Sequence, residues 1–175
     1  MRETMVLEGK LTLLRSIRKS DLKHIETWIN DVEVQYYAQE EYPFYFAPWL
    51  VKNMYDDGIK GKKLIYIIED KFKNVIGELW LYPVDYIKRA SELVITIGKK
   101  DLRGKGYGRD AINTAKNYCF ESLKLESIYL KVFSFNLRAI NCYKACGFRI
   151  VGKIPNKVIR YGTRFDEYIM EVKRK

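Results

Sequence analysis

Between residues 92 and 123 the hydrophobic period of the chain changes across a short, basic, glycine-rich turn. Leu93, Ile95 and Ile97 alternate with Val94 and Thr96, the two-residue period of a strand with one core face and one partly covered face. From Gly108 to about Leu123 the apolar positions are Ala111, Ile112, Ala115, Tyr118 and Cys119, the spacing of one face of a helix. Between them lies Arg103-Gly104-Lys105-Gly106-Tyr107-Gly108. A buried strand that turns through glycines into a helix leaves backbone N–H groups and a positive helix end pointing outward, which is an anion site.

The rest of the chain is organised around that unit. A strand near Leu11 to Leu14 leads to a helix whose face is Leu22, Ile25, Trp28 and Ile29, with Ser20 as the expected N-cap. After Asn30 the aromatic segment reads as irregular or short helix, interrupted by Pro43 and Pro48. Residues 64–68 and 75–81 flank the polar turn Asp70 to Asn74 and predict a hairpin. Ile128, Leu130 and Val132 predict a strand, and Asn136 caps a helix carrying Ala139, Ile140 and Tyr143 that Gly147 closes. A final strand is expected over Phe165 to Val172. No repeat or linker interrupts the 175 residues, so one α/β (α+β) domain with a mixed sheet is expected over residues 1–175.

Hydrophobic residues make up 47% of the chain and aromatics 14%, which excludes a disordered chain. Three cysteines without a C-x-x-C and one histidine, His24, offer neither a disulfide framework nor a zinc ligand set. No metal is expected. Charges from Arg2 onward leave no apolar signal core at the start, and no apolar run reaches membrane-spanning length, so a soluble, cytoplasmic protein is expected.

The net charge of +10 is unevenly spread, and its distribution says more than its sum. Residues 99–109 hold five bases and one acid; residues 31–57 hold six acids, one base and eight aromatics. One segment suits an anion, the other a cation. The basic turn is not a G-x-x-x-x-G-K-[ST] loop, because Gly98 lies one residue too far from Gly104 and Gly106 follows Lys105. Nor is it G-x-G-x-x-G, since Gly104, Gly106 and Gly108 are evenly spaced and the next strand ends in Phe133-Ser134, without an acid.

The turn resembles the pyrophosphate loop [Q/R]-x-x-G-x-[G/A] of the GNAT superfamily of acyl-CoA-dependent N-acetyltransferases, matched by Arg103, Gly106 and Gly108. Independently, the strand ending at Val132 and the run Asn136, Ala139, Tyr143, Gly147-Phe148 resemble that family's N-x-x-A-x-x-x-Y-x-x-x-G-F. Within it the chain is most similar to the Rim-type and spermidine N-acetyltransferases. The resemblance implies a mixed sheet of six to seven strands flanked by about four helices. It also implies transfer of an acetyl group from acetyl-CoA to a primary amine by direct attack.

On that resemblance each motif takes a role. Backbone amides of Gly104, Lys105, Gly106, Tyr107 and Gly108 would hold the pyrophosphate, with Arg103, Lys105 and Arg109 supplying charge. The strand edge at Ile95, Thr96 and Ile97 would pair with the pantetheine amides, and Asn136 would join them as cap or cofactor contact. Tyr143 is the candidate general acid, its alternative being a core tyrosine; Glu92 is the first choice of general base and Glu78 the second, with water also open. The acceptor is placed on the acidic aromatic segment, at Tyr37, Glu40, Glu41 and Asp56. A polyamine, an aminoglycoside-like amine or a basic protein N-terminus would each suit it.

Two other classes stay open: a CoA-binding regulatory protein without turnover, and a basic nucleic-acid-binding module. The second lacks any recognisable nucleic-acid motif, so no nucleic-acid or membrane partner is expected. A homo-oligomer is compatible with the resemblance.

Overall fold

The computed structural model describes residues 6–175; Met1 to Met5, part of the segment read above as lacking a signal core, lie outside the described residues. The strands are β1 (Val6–Glu8), β2 (Thr12–Ser16), β3 (Leu64–Asp70), β4 (Val75–Asp85), β5 (Ala90–Ile97), β6 (Ser127–Phe133), β7 (Arg149–Arg160) and β8 (Thr163–Lys173). The helices are α1 (Leu22–Ile29), α2 (Val32–Ala38), α3 (Pro48–Ile59), α4 (Tyr107–Asn117) and α5 (Leu137–Ala145). One sheet of order β1-β2-β3-β4-β5-β6-β8-β7 runs through the molecule. Its neighbours are antiparallel except β5 and β6, which are parallel.

The described residues form eight strands, against the six to seven expected, and five α-helices, against about four. The additions lie where the sequence pattern is weakest. The three-residue β1 is too short to show a period, and β7 has its alternation broken at Pro155, where its register to β8 shifts between Ile154 and Val158. An edge strand tolerates that proline because one side of its backbone needs no partner. Pro48 does not interrupt a helix. It opens α3 at the first helical position, where its missing N–H costs nothing and its fixed φ is already helical.

Ser20 does not cap α1 either. It lies inside a single 3-10 turn, Lys19–Asp21. The turn is held by the buried Asp21 carboxylate, which accepts from the Arg18 amide at 2.7 Å and from both terminal Arg15 nitrogens at 2.7 and 2.8 Å. Arg15 Nε also donates to Glu69 at 2.5 Å, so one guanidinium joins β2, β3 and the start of α1.

Two cores flank the sheet. Leu79, Leu81, Leu93, Ile128, Leu130 and Val132 pack with Ala111, Ile112, Ala115 and Ile140 of α4 and α5. Ile65, Ile67 and Trp80 pack with Ile25, Ile29, Val51 and Tyr55 of α1 and α3. Each aliphatic side chain so buried stabilises the fold by about 1.5–3 kcal/mol.

The sheet is interrupted at one place. β5 pairs with β6 only over Ala90–Glu92 and Ser127–Tyr129. Beyond that, β5 stays bound to β4 as far as Ile97 and β6 to β8 as far as Phe133, so two strands with outer partners part from each other and leave a gap in the sheet.

Candidate functional site

The gap between β5 and β6 opens into a cleft of about 820 Å³, within the usual range for a small-molecule site. Residues 93–97 of β5 and 131–133 of β6 form its floor, the 102–109 segment one end, α5 one wall and Glu33, Val34, Tyr37 and Ala38 of α2 another. Past Glu92, the edge of β5 that faces β6 has no strand partner, so its N–H and C=O groups are available to a ligand's amides.

Gly104 and Gly106 take positive φ of 76° and 91°, and a Cβ on Gly104 would meet nothing within 4 Å. Gly106 is the N-cap of α4, whose first-turn N–H groups have no partner within the helix. The end of the cleft is therefore a backbone cradle into which a phosphate can approach closely. Its orientation is fixed by Asp110, whose carboxylate accepts the amides of Lys10, Leu11 and Thr12 at 2.9–3.0 Å and the Thr12 hydroxyl at 2.7 Å. Burial pushes the Asp110 carboxyl up, but those donors outweigh it and hold it below the usual carboxylate range.

Arg103 lines the cleft, yet its charge is turned inward. Nε donates to the Ile97 carbonyl at 2.8 Å, Nη2 to Gly98 at 3.4 Å, and Nη1 to Glu33 at 2.8 Å. Where the sequence reading set this guanidinium against a phosphate, the structure shows it tying the turn to β5 and to α2. Lys105 and Arg109 also line the cleft and form no ion pair among the described residues, so they carry the open positive charge. Tyr107, expected with the loop, is not among the lining residues; its side chain packs against the α4 core.

Tyr143 and Asn136 line the α5 wall, with Ile95, Thr96 and Ile97 opposite. Asn136 Oδ1 accepts the Ala139 amide at 3.2 Å, so it caps α5 while facing the cleft. Burial, with Cys142 and Cys146 adding to it, pushes the Tyr143 phenol above its ordinary value of 10, which keeps it protonated at neutral pH. Glu92 stands at the fork of the strands, with Oε2 3.3 Å from Lys131 Nζ. Glu78 is not in the cleft. It lies under α3, accepting from Tyr55 Oη at 3.1 Å and Trp80 Nε1 at 2.9 Å, and burial pushes it up to about 7. Its place on the α1/α3 core side removes it as a base for this site.

The acidic segment divides. Tyr37 lines the cleft, under Arg138 at 5.5 Å. Glu40 lies beyond the lining and pairs with Lys157 at 2.6 Å, and Glu41 is exposed. Asp56 sits on α3, 3.0 Å from Lys52 and 3.9 Å from Lys60, away from the lining. Helical spacing explains that misplacement: an acid four residues from two lysines is an intrahelical ion pair. In its stead the structure brings Glu33, Lys131 and Glu167 to the cleft. Glu167 pairs in register with Phe133, and burial raises its carboxyl. Nothing local in the sequence marks it, because its position depends on β8 lying beside β6.

The match to known proteins agrees with this geometry. Residues 14–169 match the family model of the acetyltransferase (GNAT) domain. The chain belongs to the GNAT acetyltransferase family. It is an acyl-CoA-dependent N-acetyltransferase, and acetyl-CoA is its acetyl donor. It is 32% identical over 173 residues to the spermidine N(1)-acetyltransferase of Vibrio cholerae, covering 95% of this chain and 96% of that one. The Escherichia coli K12 spermidine N(1)-acetyltransferase is 26% identical over 82% of this chain and 76% of its own length. Among solved structures, the Vibrio cholerae spermidine N-acetyltransferase in complex with CoA and spermine superposes with a TM-score of 0.84 at 30% identity, covering 94% of this chain and 96% of that one. A GNAT acetyltransferase from Bacillus anthracis, 17% identical, shares the fold with a TM-score of 0.81. Within this GNAT enzyme, the glycine cradle, the two open cations and the unpaired β5 edge fit a ligand with a diphosphate followed by amides. No helix among the described residues is long and apolar enough to cross a membrane, and they contain no cluster of three or more metal-ligating side chains.

Proposed function

We propose that this enzyme acetylates a primary amine of a polyamine. The observation that carries the reading is the gap between β5 and β6. It opens toward the phosphate cradle on the α4/α5 side, and toward Glu92, Glu167 and the Tyr37 ring on the α1–α3 side. A flexible polycation needs carboxylates separated along a channel and aromatic surface between them. Similarity to the Vibrio cholerae and Escherichia coli spermidine N(1)-acetyltransferases supports the same acceptor class.

Acetyl-CoA supplies the thioester carbon that the amine attacks. The residues of the chain prepare that attack. Amides of 104–108, with Lys105 and Arg109, hold the phosphates, and the β5 edge aligns the pantetheine arm. Glu167 and Glu92 receive the ammonium. Glu92 shares its charge with Lys131, whereas Glu167 forms no ion pair among the described residues and is the stronger anchor. Either carboxylate, directly or through water, accepts the proton the amine must lose. Tyr143, held protonated by burial, donates to the departing thiolate.

The test is release of free CoA thiol from acetyl-CoA with spermidine, spermine, an aminoglycoside or a basic N-terminal peptide as acceptor. The polyamines should exceed the others in kcat/KM by at least about tenfold, ~1.4 kcal/mol in transition-state binding. Turnover with a peptide or aminoglycoside and none with either polyamine would sink the acceptor assignment while leaving the reaction class intact.

A further inference from the structure

A lysine stands where the cleft is to receive a cation. Along β6 the side chains of Leu130 and Val132 enter the core shared with α4 and α5, so the two-residue period puts Tyr129, Lys131 and Phe133 on the opposite face of the sheet. Glu92 pairs in register with Tyr129, and Glu167 with Phe133. The two carboxylate positions are therefore four residues apart along β6, about 13 Å at the usual strand rise, and Lys131 lies midway between them. Its Nζ is 3.3 Å from Glu92 Oε2 across the gap. At Glu167, where burial raises the carboxyl, Lys131 is the strongest of the charges that oppose the rise.

The other lining cations are placed elsewhere. Arg103 and Arg138 flank Glu33 at 2.8 and 4.0 Å, and Lys105 and Arg109 stand at the phosphate end. Among the described lining residues Lys131 is thus the one cation beside Glu92 and Glu167. Its pair with Glu92 does little for the fold. The Lys131 side chain is 44% exposed, a half-exposed ion pair adds little stability, and backbone pairing over Ala90–Glu92 already joins β5 to β6. What the lysine changes is charge, since with it the two carboxylates leave one net negative charge instead of two. A lysine side chain is itself an ammonium on four methylenes, so it engages Glu92 as a nitrogen of a polyamine would.

We propose that Lys131 is a specificity-determining residue: a tethered ammonium that occupies Glu92 and penalises an acceptor the more, the more positive charge that acceptor carries. The inference rests on the polyamine reading above and refines it, assigning the cleft to the less highly charged polyamines. Repulsion adds with each ammonium brought near Nζ, so spermine is penalised more than spermidine, and spermidine more than 1,4-diaminobutane. Removing the lysine charge frees Glu92 as a second anchor and lifts the penalty.

The test compares the wild type with Lys131→Met, similar in length and uncharged, in release of free CoA thiol with 1,4-diaminobutane, spermidine and spermine. The substitution should lower the KM for spermine about fivefold or more, that for spermidine by less and that for the diamine least, with the KM for acetyl-CoA unchanged. Lys131→Arg, which keeps the charge, should keep the wild-type order. Adding Glu92→Gln to Lys131→Met restores the net charge of that face and should cancel most of the gain in KM. A lysine that only supported the fold would instead lower the melting temperature and change kcat/KM for all three acceptors by one factor. An equal change across the three, a raised spermine KM, or a gain that survives the loss of Glu92 would each overturn the proposal while leaving the polyamine reading intact. No turnover of any of the three by wild type or variant would overturn both.

Discussion

At the scale of single residues, the cleft separates groups that look alike in the sequence. Tyr66 and Tyr143 are both raised by burial, but only Tyr143 faces the gap between β5 and β6. Tyr143→Phe is expected to lower kcat by about 10²-fold or more, the usual contribution of a positioned proton donor. Thermal stabilisation by acetyl-CoA should be unchanged, so stopped-time thiol release together with a melting curve checks both halves. Glu167 and Glu92 differ in the same way: Glu92 is ion-paired with Lys131, whereas Glu167, which Lys131 and Lys157 act on only from beyond ion-pair distance, is raised by burial. Glu167→Gln should raise the polyamine KM roughly tenfold, the loss of one charge-assisted hydrogen bond, and leave acetyl-CoA affinity as it was. A KM unchanged by that substitution would return the anchor to Glu92.

Between elements, α2 matters more than its seven residues suggest. Its Tyr36 and Tyr37 rings pack on Phe135, and arginines hold both its ends. At the N-terminal end Arg103 grips Glu33 and the last carbonyls of β5, and Lys100 spans Asp31 at 2.9 Å and Glu33 at 3.4 Å. At the C-terminal end Arg160, 3% exposed, donates to the carbonyls of Tyr36 and Gln39 from the end of β7. The acceptor wall and the phosphate turn are thus one mechanical unit joined through Glu33 and Arg103. A double-mutant cycle of Glu33→Gln and Arg103→Met should show a coupling of about 0.5–3 kcal/mol in stability. Arg103→Met alone should raise the KM for both substrates. Additive effects in that cycle would mean the two elements are independent.

For the whole molecule, the buried Glu78 is the group whose titration stability should report. Its carboxyl is pushed up to about 7 from 4.5 by burial, against the opposing hydrogen bonds of Trp80 and Tyr55. Between those pH values the folded chain keeps a proton that the unfolded chain has released. Stability is therefore full below about pH 4.5 as far as this group is concerned and falls as pH rises toward 7, by roughly 3 kcal/mol at most. Chemical denaturation of the wild type against Glu78→Gln across that window should give a falling curve and a flatter one. Parallel curves would show that Glu78 ionises without cost.

Much of this enzyme was legible before its fold. The change of period across Arg103 to Gly108, and the spacing of Asn136, Ala139, Tyr143 and Gly147, are local patterns, because a strand, a turn and a helix each write their geometry into neighbouring residues. The roles of Arg103, Asp56, Glu78 and Glu167 were not local. Arg103 reads as a phosphate ligand until α2 brings Glu33 against it, and Glu78 reads as a second-choice base until α3 covers it. Glu167 has no signal until β8 pairs beside β6. Which backbone can cradle an anion is decided within a few residues, but which charge remains unpaired depends on every element packed around it, and that only the tertiary structure decided.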